Sequence, residues 1–326
     1  MLSAPDFKQK QIVLALLSRG DKLSFKNDNI IIRGEDENIK HQSTCYRLFA
    51  LFIVGHVVVT SGLLQRAKKF GFSLILMGHN LTVYGQFNNK TEGNVVLRKR
   101  QYDYENTDLA QHLVMNKIQQ QREVLKNIRN KDEKKRIAIQ HLQNHEARLP
   151  SPDLDLQNLL GLEGSAARVY FQQLFGRESW HGRKPRAKQD PTNTLLDIGY
   201  TLLFNFVEGL LNLYGFDLYR GVYHQQFYQR KSLVCDLVEP FRPIIDSRIR
   251  KAFSLGQVNV EDFDVIQGQY RLFGEKSRSY LKWLLEEILT HKQGMFLYTQ
   301  QYYRCFMRQK PVDEYPLFNK FLNEKC

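Results

Sequence analysis

The chain has 326 residues, enough for two ordinary domains with real cores, and 47 Lys and Arg against 34 Asp and Glu leave a formal charge of +13. That excess points to an anionic partner such as nucleic acid. Cys45, Cys235, Cys305 and Cys326 form no CxxC pair, which argues against a disulfide framework or zinc knuckle and sets a reducing cytosol as the expectation. The opening MLSAPDFKQKQ lacks the layout of a signal peptide, and apolar runs such as residues 48–59 are too short and interrupted to cross a bilayer. A soluble intracellular protein without a membrane partner is expected.

Residues 1–98 read as mostly strands. KLSFK, the turn residues Asn27, Asp28 and Asn29, and IIIR form a hairpin pattern. LFIVGHVVVT and SLILM are branched runs of the kind buried strands carry, and LLQRAKKFG between them reads as a short helix closed by Gly71. LTVYGQF alternates like an edge strand.

From about Asp103 the period becomes helical. TDLAQHLVMNKIQQQREVLKNI has Thr107 in a capping position and apolar residues three and four apart. RNKDEKKR reads as a charged break, and IAIQHLQNHEARL as a second helix stopped by Pro150. His141 and His145 lie one turn apart, but no glutamate follows His141, so the HExxH pattern is absent and surface histidines are expected. After Asp190 and Pro191 comes the most apolar helix, TLLDIGYTLLFNFVEGLLNLY, ending near Gly215. FDVIQGQYRLF admits a brief strand pair, and the aromatic stripe in MFLYTQQYYRCFMRQ reads as core or interface. No internal repeat or glycine-rich phosphate loop occurs, which weighs against a nucleoside triphosphate.

The candidate chemistry clusters late in the chain. Asp236 and Glu239 are three apart and share a helix face, and Pro240 and Pro243 deprive their carbonyls of the usual helical donors, so a kink should follow the pair. The plain alternative is a solvated acidic face. His224 sits in a loop a dozen residues upstream. Imidazole with carboxylates suits Mg²⁺ or Mn²⁺, manganese tolerating the nitrogen better. Glu163, set among Gly161, Gly164, Ser165, Ala166 and Ala167, is the choice for a third ligand; Glu208, inside the apolar helix, is the rival and reads otherwise as a structural ion pair. The segment GRESWHGRKPRAKQDP brings Arg177, Arg183, Lys184, Arg186 and Lys188 against Glu178 and Asp190, with Trp180 and His181 as aromatic surface. Such a charge run usually forms a solvated loop; lying between a candidate ligand helix and the core helix, it could instead track phosphates, and Arg183, Lys184, Arg186 and Lys188, together with Arg230 and Arg242, form the expected DNA-contact set.

Four blocks, LLGLEGSAARVYFQQLF, GRKPRAKQDPTNTLLDIGYTLLF, GFDLYRGVYH and RKSLVCDLVEPFRP, resemble in order and spacing the CRISPR-associated integrase family, Cas one, over roughly residues 155 to 250. The resemblance implies an α+β protein: a small N-terminal β-sandwich-like domain (1–98, dimerisation and assembly) followed by a larger all-helical catalytic, DNA-binding domain (99–326). It implies Glu163, His224 and Glu239 as ligands of Mg²⁺ or Mn²⁺, Asp236 as a supporting acid, and Asn193 as a structural or DNA-positioning residue. The implied activity is that of a metal-dependent endonuclease and integrase, which joins 3′-hydroxyl ends of captured foreign DNA to the CRISPR repeat by transesterification in a prokaryotic cytoplasm. The implied partners are DNA, a second copy of the chain, the second adaptation protein (Cas two) in a heterohexamer-like complex, and an end-trimming nuclease. Two departures stand out: Gln229 precedes Arg230 where the family often has glycine, and QQFYQR (225–230) is unusually aromatic. A stand-alone repair or junction nuclease and a non-catalytic nucleic-acid binding module are the other readings.

Overall fold

A computed structural model describes residues 2–89, 91–129, 132–151, 153–176, 180 and 182–322. After a short helix α1 (Ala4–Lys8), strand β1 (Gln11–Leu16) is followed by a meander of β2 (Lys22–Lys26), β3 (Asn29–Arg33) and β4 (Ile39–Thr44). Asn27 and Asp28 both take positive φ, as the tight turn between β2 and β3 demands. Strand β5 (Leu48–Val54), helix α2 (Ser61–Phe70), β6 (Ser73–Met77) and β7 (Val83–Phe87) complete the β-rich part. A second sheet has the order β1-β5-β6-β7, with β1 and β6 parallel to β5 and β7 antiparallel to β6. Gly71 ends α2 in the left-handed conformation, as expected.

All seven residues of β5 are buried. Leu51 and Ile53 join a core with Ile30, Ile32 and Leu63, whereas Phe52 and Val54 join the main core shared with the helices. The strand is therefore a middle layer with both faces covered, which is why it reads as a continuous apolar run. The expected strand LFIVGHVVVT breaks at Gly55, whose φ of 117° turns the chain out of the sheet. β1 and β4 went unread among the expected elements.

Helix α3 (Val95–Asp103) starts before the expected change of period and runs across position 98, so no break in secondary structure falls there. Helix α4 (Asp108–Lys126) begins at Thr107, but that side chain makes no capping bond; the Leu109 N–H donates instead to the Tyr104 hydroxyl. The charged break is partly helix: α5 (Glu133–Glu146) is capped by Asp132, while residues 130 and 131 lie outside the described residues. His145 is used locally, its Nδ1 against the His141 carbonyl and its Nε2 near Ser165.

Helices α6 (Leu156–Phe175) and α7 (Pro191–Asn212) follow, each capped by an aspartate. By length and composition alone α7, of 22 residues, is apolar enough to cross a membrane, but 78% of its most apolar stretch is buried inside the fold, as in a core helix. Then come α8 (Ser232–Val238), α9 (Arg242–Ser254), the hairpin β8 (Asp264–Ile266) and β9 (Gln269–Arg271), and the 34-residue α10 (Gly274–Met307). The hairpin means that the helical part is not all-helical. The stripe Tyr298, Tyr302 and Phe306 is core. Cys45, Cys235 and Cys305 are free thiols; Cys326 lies outside the described residues. The molecule is α+β, β-rich at its start and helical beyond.

Candidate active site

Pro240 and Pro243 cannot donate to the carbonyls of Asp236 and Glu239, so α8 stops at Val238 and the chain tightens into a 3-10 turn, Glu239–Phe241. Both carboxylates are buried and do different work. Asp236 accepts the N–H groups of Val222 (2.6 Å), Tyr223 (3.1 Å) and His224 (2.8 Å), and its Oδ1 also takes the His224 Nδ1 proton at 2.7 Å. A carboxylate can only accept, so Nδ1 carries the hydrogen, and in the neutral imidazole Nε2 then keeps its lone pair. Gly221 lets the loop come this close: a Cβ there would stand 2.6 Å from Asp236 Oδ2.

Glu239 Oε1 pairs with Arg242 at 3.1 Å, and its Oε2 lies 2.6 Å from the Lys117 ammonium without a well-aligned hydrogen bond. The same ammonium pairs with Glu163 Oε1 from α6, while Glu163 Oε2 accepts from the Tyr223 hydroxyl at 2.5 Å. Lys117, on α4, is only 7% exposed. Burial by itself disfavours the Glu163 carboxylate, but the charge and hydrogen bond of Lys117, with help from Tyr223, outweigh it and hold its pKa at about 2. Lys117 answers in kind: burial works against its charge, yet the two glutamates raise its pKa. Burial and the neighbouring Glu163 push the Tyr223 hydroxyl far upward, so it stays a donor.

Glu163 and Glu239 thus meet at one cationic position, and Tyr223 and Asp236 tie the His224 loop to it. Among the described residues, no three His, Cys, Asp or Glu side chains stand close enough to hold an ion as they lie. The ammonium of Lys117 fills the space between the carboxylates. Two facing carboxylates, one oxygen of which lacks an aligned partner, and a neighbouring imidazole with an open Nε2 form a donor set of the kind Mg²⁺ or Mn²⁺ takes.

The centre opens into a cleft of about 1410 Å³ whose wall includes Lys117, His224, Arg186, Lys188, Arg230 and Arg242. Of the expected DNA-contact set, Arg183 also lines it, but its guanidinium is paired with Asp197 (2.5 Å) and bonded to Asn193 (3.0 Å). Arg242 neutralises Glu239 and lies over the Tyr200 ring at 4.9 Å. Lys184 is not in the wall; its ammonium bonds Gln189 at 2.7 Å. Asn193 is fully buried, bonding Asp190 and the Gly182 carbonyl and accepting from Arg183 and the Lys184 N–H, so it organises the turn ahead of α7. Trp180 packs against Phe171 and Phe175 and does not form an aromatic surface. Arg177, Glu178 and His181 lie outside the described residues. Glu208 is a structural ion pair, bonded to Lys231 (2.6 Å) and Asn88 (2.7 Å).

Three features escaped the sequence reading. Lys117 was detectable: it falls three and four residues after Val114 and Leu113 on the apolar stripe of α4, an odd place for an unpaired lysine. Tyr223 carried no signal. Nor did Asp246 of α9, buried at the cleft and accepting from Tyr200 (2.5 Å) and Tyr170 (3.1 Å). Burial raises its pKa to about 7, against the opposing pull of both hydroxyls and Arg242.

This architecture recurs in solved structures, which at these identities share the fold alone. A chain of a Cas6-RT-Cas1–Cas2 complex superposes with a TM-score of 0.78 at 23% identity, covering 95% of this chain and 36% of that one. A casposase bound to integration product gives 0.75 at 18%, covering 92% and 91%. The sequence model of the family "CRISPR associated protein Cas1" matches residues 14–286, and the chain belongs to that family. A relative from Thermodesulfovibrio yellowstonii, named CRISPR-associated endonuclease Cas1 1, is 30% identical over 65% of this chain and 70% of its own length. A Geobacter sulfurreducens protein, named a CRISPR-associated exonuclease Cas4/endonuclease Cas1 fusion, is 33% identical over 52% of this chain and 32% of its own.

Proposed function

We propose that this protein is a metal-dependent DNA endonuclease and integrase of CRISPR adaptation, which joins 3′-hydroxyl ends of captured foreign DNA to the CRISPR repeat. The observation that carries this reading is the meeting of Glu163 and Glu239 at one cationic position beside His224, in a basic cleft. The casposase neighbour bound to integration product supports the same chemistry for this fold.

In the proposed transesterification, the 3′-oxygen of the incoming strand bonds to a repeat phosphorus and the bond from that phosphorus to its former 3′-oxygen breaks. The attacking hydroxyl gives up its proton and the leaving oxygen gains one. One phosphodiester replaces another, so no external energy source is needed. Glu163, Glu239 and Nε2 of His224 would hold Mg²⁺ or Mn²⁺, which when bound lowers the pKa of the attacking hydroxyl and offsets charge on the five-coordinate phosphorus. Asp236 fixes the imidazole, and the Tyr223 hydroxyl orients Glu163. Arg186, Lys188 and Arg230 attract the phosphate backbone. Water in place of the 3′-hydroxyl turns the same centre into a nicking site.

The proposed partners are foreign DNA and the repeat, a second copy of this chain, Cas2 in a heterohexamer-like assembly, and an end-trimming nuclease. The Cas6-RT-Cas1–Cas2 complex and the Cas4/Cas1 fusion support the last two. The proposed setting is a prokaryotic cytoplasm.

The test uses a supercoiled plasmid bearing a repeat array and a short duplex with free 3′ ends, with manganese present. Joined and relaxed products are expected. Glu163→Ala, His224→Ala and Glu239→Ala should each abolish joining while DNA affinity stays within about threefold, since the phosphate contacts remain. Strand transfer retained in all three variants rules out this centre, and cut products alone assign the chain to nuclease chemistry with water only.

A further inference from the structure

His224 and Arg230 both line the cleft, and the turn between them lifts two large aromatic side chains into solvent: Phe227 is 72% exposed and Tyr228 83%. The turn is built to hold them there. The Arg230 N–H donates to the Phe227 carbonyl at 3.0 Å, and Gln229 takes the left-handed conformation that closes such a turn. The Gln225 carbonyl accepts both the Arg230 guanidinium (2.7 Å) and the Ser232 hydroxyl (3.1 Å), which staples the loop base to the start of α8. Two rings presented on a braced turn lose little freedom when something flat settles on them.

The surroundings choose the occupant. The adjoining wall carries Arg186, Lys188 and Arg230 and suits phosphates, whereas the ring faces are uncharged and suit a π-surface. A nucleic acid offers both at the spacing of a nucleotide, provided its base is unpaired. We propose that Phe227 and Tyr228 form a stacking site for an unpaired nucleobase of the DNA in the cleft, next to the reacting phosphate. The inference rests on DNA occupying the cleft, as proposed above. Stacking on a bare ring face is tolerant of base identity, so the site reads single-strandedness and not sequence.

The test compares the full chain with Phe227→Ala, Tyr228→Ala and the double variant. One probe is a hairpin duplex with a short single-stranded 3′ tail carrying 2-aminopurine; the other is the same duplex fully paired. Each lost ring should weaken binding of the tailed probe by about 5- to 100-fold and restore 2-aminopurine fluorescence. Binding of the paired probe and the salt dependence of both should stay as in the unmodified protein, because no phosphate contact is removed. Tyr228→Phe should bind like the unmodified protein. Both side chains are exposed, so unchanged melting midpoints are expected and a folding defect would be visible. Equal losses on the two probes, or unaltered tail binding and fluorescence in the double variant, overturn the stacking site while leaving the proposed function standing. An unmodified protein that binds neither probe overturns both. A change of oligomeric mass in the double variant with DNA binding intact makes the rings a protein interface and overturns the proposal.

Discussion

Lys117 holds the candidate centre together as one buried charge shared by two carboxylates, Glu239 buried and Glu163 part-buried. Removing one member of such a cluster leaves its partners uncompensated in a poor solvent for charge, typically at a cost of about 3–5 kcal/mol. Lys117→Met keeps the aliphatic length and deletes the ammonium. The variant should melt well below the unmodified protein in chelator, recover part of the loss in Mn²⁺ or Mg²⁺, and bind the ion more tightly, because nothing then competes for Glu163 and Glu239. Thermal unfolding with and without manganese, together with calorimetric titration, measures this. An equal destabilisation at every metal concentration would separate the carboxylate pair from any ion site. At this scale the sequence was only partly readable. Glu163, Asp236 and Glu239 were visible through their neighbours: small residues around one, prolines after the others. Tyr223 was not, because its hydroxyl matters only for where the loop lands.

Three helices meet at Asp246. Its carboxyl, on α9, accepts from Tyr170 on α6 and Tyr200 on α7, and the positive charges of Arg242 and Lys117 favour its ionised form. Burial lifts its pKa to about 7, from about 3.9 in an unfolded chain. A raised folded value means that the fold prefers the protonated form. That contribution is complete below about pH 4 and is lost as pH climbs through about 7. Asp246→Asn keeps a hydrogen-bonding group of the same shape but cannot ionise. Between about pH 5 and about pH 8 the unmodified protein should lose stability relative to the variant, with a difference in slope of up to about 1.4 kcal/mol per pH unit. Urea midpoints across that range measure it, and parallel pH profiles would show that Asp246 does not titrate there. Elements themselves were the most legible level. The hairpin at Asn27, the stop at Gly71, the aspartate cap of α7 and the kink after α8 each follow from local backbone chemistry. The errors sit where local signals conflict with packing. VVVT has strand residues but lies beyond the turn at Gly55, and EKKR carries the charge of a linker yet is held in helix by Asp132.

In the whole molecule, β5 joins two cores that the sequence presents as separate stretches. Phe52 packs into the same core as Phe206, Phe296 and Tyr298 of the helical part. Both tryptophans, Trp180 and Trp283, belong to that part, so their fluorescence follows its unfolding. Phe52→Ala should cost about 3–5 kcal/mol and lower the fluorescence midpoint as much as the circular-dichroism midpoint. A fluorescence midpoint that does not move would mean that the two parts unfold independently.

Strand and helix periods, turn residues, caps and proline breaks act over a few neighbours, and so a β-rich start, a helical remainder and most elements, though not β1, β4 or the start of α3, were legible in the sequence alone. The set Glu163, His224, Asp236 and Glu239 could also be nominated there, through local composition and resemblance. Only the tertiary structure decided which partners those side chains keep: Lys117 between the glutamates, Asp236 on the His224 loop, Lys231 on Glu208, and the arginines split between ion pairs and open wall. Those pairings depend on distances across the fold between residues as far apart in the chain as Lys117 and Glu239, and burial then determines whether each charge is quenched, shifted or left facing the cleft.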